Sequence, residues 1–335
     1  MKPSHVACLL DAAIKTAMSA KRKQDYIVPS LKGAPGTAKS ALVEDAASRA
    51  GIPFWDVRLS IKDTVDLTGV PKVDKNGRTV FAPPGWLPSE GPGVLFLDEY
   101  AQAMLSMQNV GGQLIYDRRA GDYVVPDGVL IVLASNRQQD RAGTSQTPQQ
   151  INNRVIHIDV DADYDDWRNG YALDAGIDQR VIAFLDFRPE LLCQPSKDAE
   201  AFPTLRTWEY ASNILGMELP PIVRNETLAG CVGKGAAAEL IGFVDTYEQG
   251  VSLWREVFAK PKTAPIPPPG APMYALMSVL ARRVEYDTLE TLIAYLERAN
   301  KEMANLCIHD AARLKPVIKE HPAYVAWSVE HRIAA

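Results

Sequence analysis

The chain has 335 residues, 47% of them hydrophobic and 23% charged, with a formal net charge of −5. That balance leaves room for two or three packed units, and the acidity argues against a dedicated nucleic-acid binder. No apolar run approaches the roughly 20 residues that span a bilayer. The N-terminal stretch is broken by Asp11 and Lys15 and does not have the form of a signal peptide. Cys8, Cys193, Cys231 and Cys307 are scattered without metal or disulfide spacing, which fits core or surface thiols in a reducing cytosol and predicts a cytoplasmic protein.

In chain order, Ser4 is placed to cap a first helix whose apolar positions Val6, Leu9, Leu10, Ala13, Ala17 and Met18 follow helical spacing, ended by Lys21-Arg22-Lys23. The run Tyr26–Leu31 reads as a short buried strand. It leads into Gly33-Ala34-Pro35-Gly36-Thr37-Ala38-Lys39-Ser40, and a helix from Ala41 stopped by Gly51 follows. Strand, glycine-bearing loop, Lys-Ser and helix in that order make a phosphate cradle. Loop N–H groups and the helix N-terminus face the anion, Lys39 reaches the outer phosphates, and the Ser40 hydroxyl ligates magnesium. The usual pattern has glycine where this chain has Ala38; that position is expected to be entering the helix already, where alanine is comfortable.

Pro53–Leu59 alternates as a second strand. Residues 61–93 hold no good helix, and Val73–Phe81 reads as a hairpin turning at Asn76-Gly77. Gly93–Leu97 is a continuous apolar strand ending in Asp98-Glu99, as expected where a parallel sheet is covered on both faces. A helix follows through Met104, Met107 and Val110, then a hairpin at Tyr123–Gly128. A second buried strand at Val129–Ala134 ends at Ser135-Asn136-Arg137, and Val155–Val160 is the last strand of this half. Strands alternating with helices predict an α/β core with a mostly parallel sheet, whose ligands sit beyond the C-terminal strand ends. From about Tyr164 the pattern is helical. Lys260–Gly270, rich in proline, reads as a linker, and Tyr274–Arg283 and Thr288–Leu306 read as amphipathic helices before a helical tail.

Asp98-Glu99 supplies the second half of a nucleotide-hydrolysis site: Asp98 to hold magnesium opposite Ser40, Glu99 to orient and polarise the attacking water. Asn136, at the next strand end, is placed to bond the γ-phosphate or that water. The histidines show no ligand spacing, and no nucleophile set of the Ser/His/Asp or Cys/His kind stands out.

Gly33–Ser40, Leu95–Tyr100, Leu133–Asn136 and Asn152-Asn153-Arg154 together resemble the AAA+ ATPases, specifically their MoxR-like branch. Asp66–Pro71 and Pro83-Pro84-Gly85-Trp86-Leu87-Pro88 are similar to that branch as well. The resemblance covers roughly residues 25–215. It implies ATP and Mg2+ as cofactors and a homo-oligomeric ring, most simply a hexamer. It implies that Arg154 is an arginine finger toward the neighbouring subunit's γ-phosphate, and that Arg206, within Phe202–Trp208, is a second-sensor contact in cis. Arg118 and Arg119 are further candidates for the subunit boundary, and several arginines compete for the role of finger.

It further implies hairpin insertions at about 61–93 and 121–128, with Trp86 and Tyr123 either facing substrate or simply packed. The expected organisation is an AAA+ P-loop core over 1–162, an α-helical lid over 163–258, a proline-rich linker over 259–272 and a helical C-terminal extension over 273–335. The function so implied is chaperone-like remodelling or maturation of a protein client, with a separate von Willebrand factor A domain adaptor, no nucleic acid and no membrane insertion. A nucleic-acid motor or helicase loader of the same superfamily is one alternative. A nucleotide-gated scaffold with negligible turnover is another, made conceivable by Ala38.

Overall fold

The computed structural model describes residues 1–137, 148–196 and 198–331. The chain forms two compact units. The first holds residues 1–167 together with 195–198 and 204–206; the second holds the remainder.

In the first unit the elements run α1 (Pro3–Ser19), β1 (Pro29–Lys32), α2 (Lys39–Ala50), β2 (Phe54–Arg58), α3 (Thr64–Thr68), β3 (Val70–Val73), β4 (Thr79–Ala82) and β5 (Gly93–Asp98). They continue with α4 (Leu105–Asp117), β6 (Arg119–Ala120), β7 (Tyr123–Val124), β8 (Val129–Ser135), α5 (Gln149–Asn152), β9 (Ile156–Asp159) and α6 (Tyr164–Trp167). Five strands make one sheet in the order β2-β5-β8-β1-β9, and every pairing in it is parallel.

The apolar runs in β5 and β8 are continuous because both faces of the sheet are covered. Leu95, Leu97, Ile131 and Leu133 face one layer with Met107 and Leu114 of α4. The alternate residues Val94, Phe96, Leu130 and Val132 face the other layer, with Leu10 and Ile14 of α1 and Val43 of α2. Burying each such side chain contributes about 1.5–3 kcal/mol relative to exposure, so the strands need no polar face. The expected α/β architecture, a parallel sheet with helices on both faces followed by a helical remainder, is the one the chain forms.

Several local expectations change. Ser4 does not cap α1: Lys2 stands at the cap and proline opens the helix, while the Ser4 N–H donates to Asp166 at 2.7 Å. The segment 61–93 contains the short helix α3, opened by a capping box between Asp63 and Asp66. The β3–β4 hairpin forms with its turn at Asp74–Arg78. There Asp74 Oδ1 accepts the N–H groups of Asn76 and Arg78, and only Gly77 has positive φ. The second hairpin pairs Arg119-Ala120 with Tyr123-Val124 and so turns earlier than Tyr123–Gly128.

In the second unit, a π-helical turn (Arg168–Ala172) precedes α7 (Gln179–Phe187), α8 (Leu205–Gly216), α9 (Pro221–Val232), α10 (Lys234–Ala259), α11 (Ala271–Arg283), α12 (Leu289–Leu296), α13 (Lys301–Leu314) and α14 (Pro322–His331). The stretch read as one helix, Thr288–Leu306, is two: Asn300 caps α13 by accepting the Glu302 N–H at 2.8 Å. Arg168, with side chain only 4% exposed, is held between Asp186 and Asp310. The proline-rich stretch 260–270 lies against this unit's own core. Ala264 is fully buried, the Tyr295 hydroxyl donates to Pro265 O at 2.9 Å, and Arg298 donates to Pro261 O and Ala264 O. Helices on both sides of that stretch contribute to one apolar cluster, through Val257 before it and Met273 to Trp327 after it.

Candidate functional site: a phosphate loop at the sheet's C-terminal edge

Strand register alone brings the catalytic candidates together. Leu31 lies beside Ala134, Lys32 beside Ser135, Leu97 beside Leu133, and Arg58 beside Asp98. The C-terminal ends of β1, β5 and β8 therefore bring Gly33, Asp98-Glu99 and Asn136 to one edge. This is where an open parallel sheet receives ligands.

The loop between β1 and α2 is shaped by close approach. A Cβ at Gly33 would lie 2.8 Å from the Val160 carbonyl oxygen. Gly36 has φ +75°, and a Cβ there would stand 2.8 Å from both Cβ and Oγ1 of Thr204. Thr204 thus closes over the loop from a point far along the chain, within the Phe202–Trp208 segment expected near the site through Arg206. The Thr37 hydroxyl donates to Ala34 O at 2.9 Å, bracing the turn.

Ala38 is not the first helical residue that sequence reasoning expected. It sits at φ 59°, ψ 25°, in the left-handed region, and caps α2. An L-residue there costs roughly 1–2 kcal/mol, which is why glycine is the usual occupant. The chain keeps the geometry and bears the strain.

Lys39 is buried, and its Nζ donates to Gly33 O at 3.0 Å and Ala34 O at 2.9 Å. Asn136 Oδ1 is 3.4 Å from the same nitrogen. The lysine thus ties the loop to the end of β8, with its ammonium inside the cradle. Ser40 Oγ lies 3.4 Å from Asp98 Oδ2, and Asp98 Oδ1 accepts the Glu99 N–H at 2.8 Å. A hydroxyl and a carboxylate facing each other beside a phosphate loop are hard oxygen donors of the kind Mg2+ takes, so the residues present fit that ion.

Glu99 is also in the left-handed region, at φ 54°. Its carboxylate contacts the Ser60 hydroxyl and lies 3.7 Å from Arg58 Nε. Strained backbone at an acid is a feature of functional sites. Neither Ser60 nor Arg58 carried a sequence signal, since Arg58 ends β2 and Ser60 sits in the short 3-10 turn after it, both without a motif. Asp56 on β2 was also missed. Partial desolvation raises its carboxyl above the ordinary range, the charge of Asp98 pushes the same way, Arg58 opposes, and Glu44 and Glu99 add to the rise.

Arg154 is at the other end of the sheet. It precedes β9, whose first residue Ile156 pairs with Pro29, while Asp159 pairs with Lys32 at the phosphate-loop end. The strand steps from Ile156 to Asp159, at about 3.3 Å each, put the start of β9 roughly 10 Å below that level, and Arg154 lies in the turn before it. It is exposed, with its guanidinium carbon 4.0 Å above the Tyr116 ring. Arg206 is exposed too, and its short segment 204–206 clusters with the phosphate-loop unit, where Thr204 touches Gly36.

Arg118 does not face outward. It is buried at φ 52°, stacks 3.6 Å over the Tyr26 ring, and donates to Pro126 O and Val129 O at 2.9 and 2.8 Å. It fastens the second hairpin to the start of β8 and is unavailable at a subunit boundary; Arg119 remains exposed. Of the hairpin aromatics, Tyr123 is buried with its hydroxyl on Pro88 O at 2.8 Å, and Trp86 packs on the core beneath Lys62.

No protein-family model and no curated protein matches the sequence. Among solved structures, the chain is similar to two of NtrX from Brucella abortus. The first is 14% identical with a TM-score of 0.33, covering 96% of this chain and 66% of that one. The second, in complex with ADP, is 15% identical with a TM-score of 0.35, covering 98% and 66%. The chain thus spans about two thirds of their length, and superposition this loose speaks to neither ligand nor activity. No described helix is long and apolar enough to cross a membrane.

Proposed function

We propose that the chain is a magnesium-dependent ATPase of the AAA+ kind, MoxR-like, working as a ring of copies. One observation carries this reading: Lys39, Ser40, Asp98, Glu99 and Asn136 meet at one sheet edge around a glycine-shaped loop. Lys39 holds the outer phosphates there. Ser40 and Asp98 hold Mg2+, which when bound offsets the negative charge between the phosphates. Glu99 orients the attacking water, and Asn136 fixes the lysine and the γ-phosphate end of the site.

Arg154 precedes β9, at the end of the sheet away from its own loop, which supports a role at the site of the next copy in the ring. A planar guanidinium in that position stabilises charge developing on the transferred phosphoryl group. Arg206 serves its own site, carried by the segment that Thr204 anchors over the loop. Work on a protein client, through a separate von Willebrand factor A domain adaptor, is the use this reading gives to hydrolysis, and a cytoplasmic setting goes with it.

The test is a pair of variants read by nucleotide binding and by phosphate release. Lys39→Ala abolishes both. Glu99→Gln binds ATP normally and lowers turnover by about 100-fold or more, the scale of a general-base contribution. Normal hydrolysis by Glu99→Gln would refute the assignment of the water-orienting acid.

A further inference from the structure

Arg154 is fixed differently from the ion-paired arginines of this chain. Several arginines lay their N–H groups on carboxylates: Arg49 on Asp11 and Asp45, Arg168 on Asp186 and Asp310, Arg180 on Asp178. Such pairing neutralises the cation and occupies its donors. Arg154 makes no ion pair among the described residues, yet its guanidinium is placed, its central carbon 4.0 Å from the centre of the Tyr116 ring. A ring face holds a guanidinium through its plane and leaves the N–H edge and the charge available.

The ring itself is seated. Tyr116 stands in the last turn of α4. A Cβ at Gly112, one turn earlier, would lie 3.6 Å from the ring carbon Cε2 and 3.4 Å from Ile151 Cδ1, ordinary contact distances, so the ring and Ile151 both pack against this turn of α4. Among the described residues the buried Tyr116 hydroxyl has no hydrogen-bond partner, so the contact with Arg154 is made by the ring and not the oxygen. Arg118 supplies the contrast: it also stacks on a tyrosine, but it is buried and both its Nη2 bonds go to backbone carbonyls.

We propose that Tyr116 is the positioning residue for Arg154, holding the guanidinium face so that its unpaired N–H edge points outward, ready for an anion on a second copy of this chain. This rests on the reading that Arg154 completes its neighbour's site. The cation–π contact is worth about 0.5–2 kcal/mol, depending on how much water a neighbouring copy removes. Losing it therefore lowers turnover by about two- to thirtyfold through the arginine alone.

A directional mixing assay tests it. Chains carrying Arg154→Ala hydrolyse only when a neighbour donates its arginine; chains carrying Lys39→Ala bind no nucleotide and act only as donors. Adding Tyr116→Leu to the donor chain is expected to cut the recovered turnover by about two- to thirtyfold, with the KM for ATP unchanged. Adding it to the acceptor chain leaves the recovery intact, and Tyr116→Phe on the donor leaves it intact as well. A loss of equal size from either chain would show a merely structural role and overturn the proposal, as would full recovery with the Tyr116→Leu donor. If Arg154→Ala alone turned over at the wild-type rate, the parent reading of Arg154 would fail, a result distinct from either of these.

Discussion

Ala38→Gly isolates the strain stored in the phosphate loop. Ala38 holds φ 59° and ψ 25° at the start of α2, a conformation costing an L-residue roughly 1–2 kcal/mol. Glycine removes that cost but loses about 0.5–1 kcal/mol through the greater freedom of the unfolded chain. The balance is a stabilisation of about 0.5–1 kcal/mol. In a unit of this size that corresponds to roughly 1–4 °C in the unfolding midpoint. Differential scanning calorimetry of the ligand-free protein, with urea unfolding alongside, reads the change; the urea slope should be unaltered and only the midpoint should move. Ala38→Val supplies the opposite sign, because a β-branched side chain tolerates the left-handed region worst. An unchanged or lowered midpoint for Ala38→Gly, together with a neutral Ala38→Val, would refute the assigned backbone conformation.

Two further outcomes concern Arg118, at the start of β8, and Asp56 on β2. Arg118→Ala leaves the carbonyls of Pro126 and Val129 without a donor and opens space against Tyr26, and is expected to destabilise by about 2–4 kcal/mol in urea unfolding. Asp56 has its carboxyl raised above the ordinary 3.8 in the folded protein, so the native state holds that proton more tightly than the unfolded chain does. Its contribution to stability therefore declines as pH rises from 3.8 through the folded-state pKa. Asp56→Asn removes that decline and is expected to raise the melting midpoint at neutral pH relative to wild type, the advantage vanishing below pH 3.8 in paired melting curves.

Legibility in the sequence followed the range of the interactions. The glycine-bearing loop between β1 and α2, and the strands β5 and β8, could be read because their signals are local: a glycine spacing, and apolar runs that both faces of a parallel sheet permit. The meeting of Lys39 with Asn136 followed from strand order, since residues ending neighbouring parallel strands share an edge. Ala38 was misread because helix propensity describes a side chain in a helix and carries no information on the φ of the residue that precedes it. Thr204 over Gly36 and Ser60 against Glu99 are contacts between segments far apart in the chain, at residues that occur everywhere in sequences. Arg118 looked like a surface cation because nothing in its neighbours announced the Tyr26 ring. The break between α12 and α13 was hidden because Glu297–Asn300 contains neither glycine nor proline; it is Asn300 as a cap that marks it.

The measurement closest to the centre of this account is complementation between two inactive chains. Lys39→Ala lacks a working cradle and Arg154→Ala lacks the donated cation, so each alone should show only background phosphate release. An equal mixture of the two, exchanged into common rings, should recover turnover toward about a quarter of wild type, the share of seams that pair an intact loop with an intact arginine. Background release from the mixture, in assemblies verified to contain both chains, would contradict the claim that the site is completed across two copies.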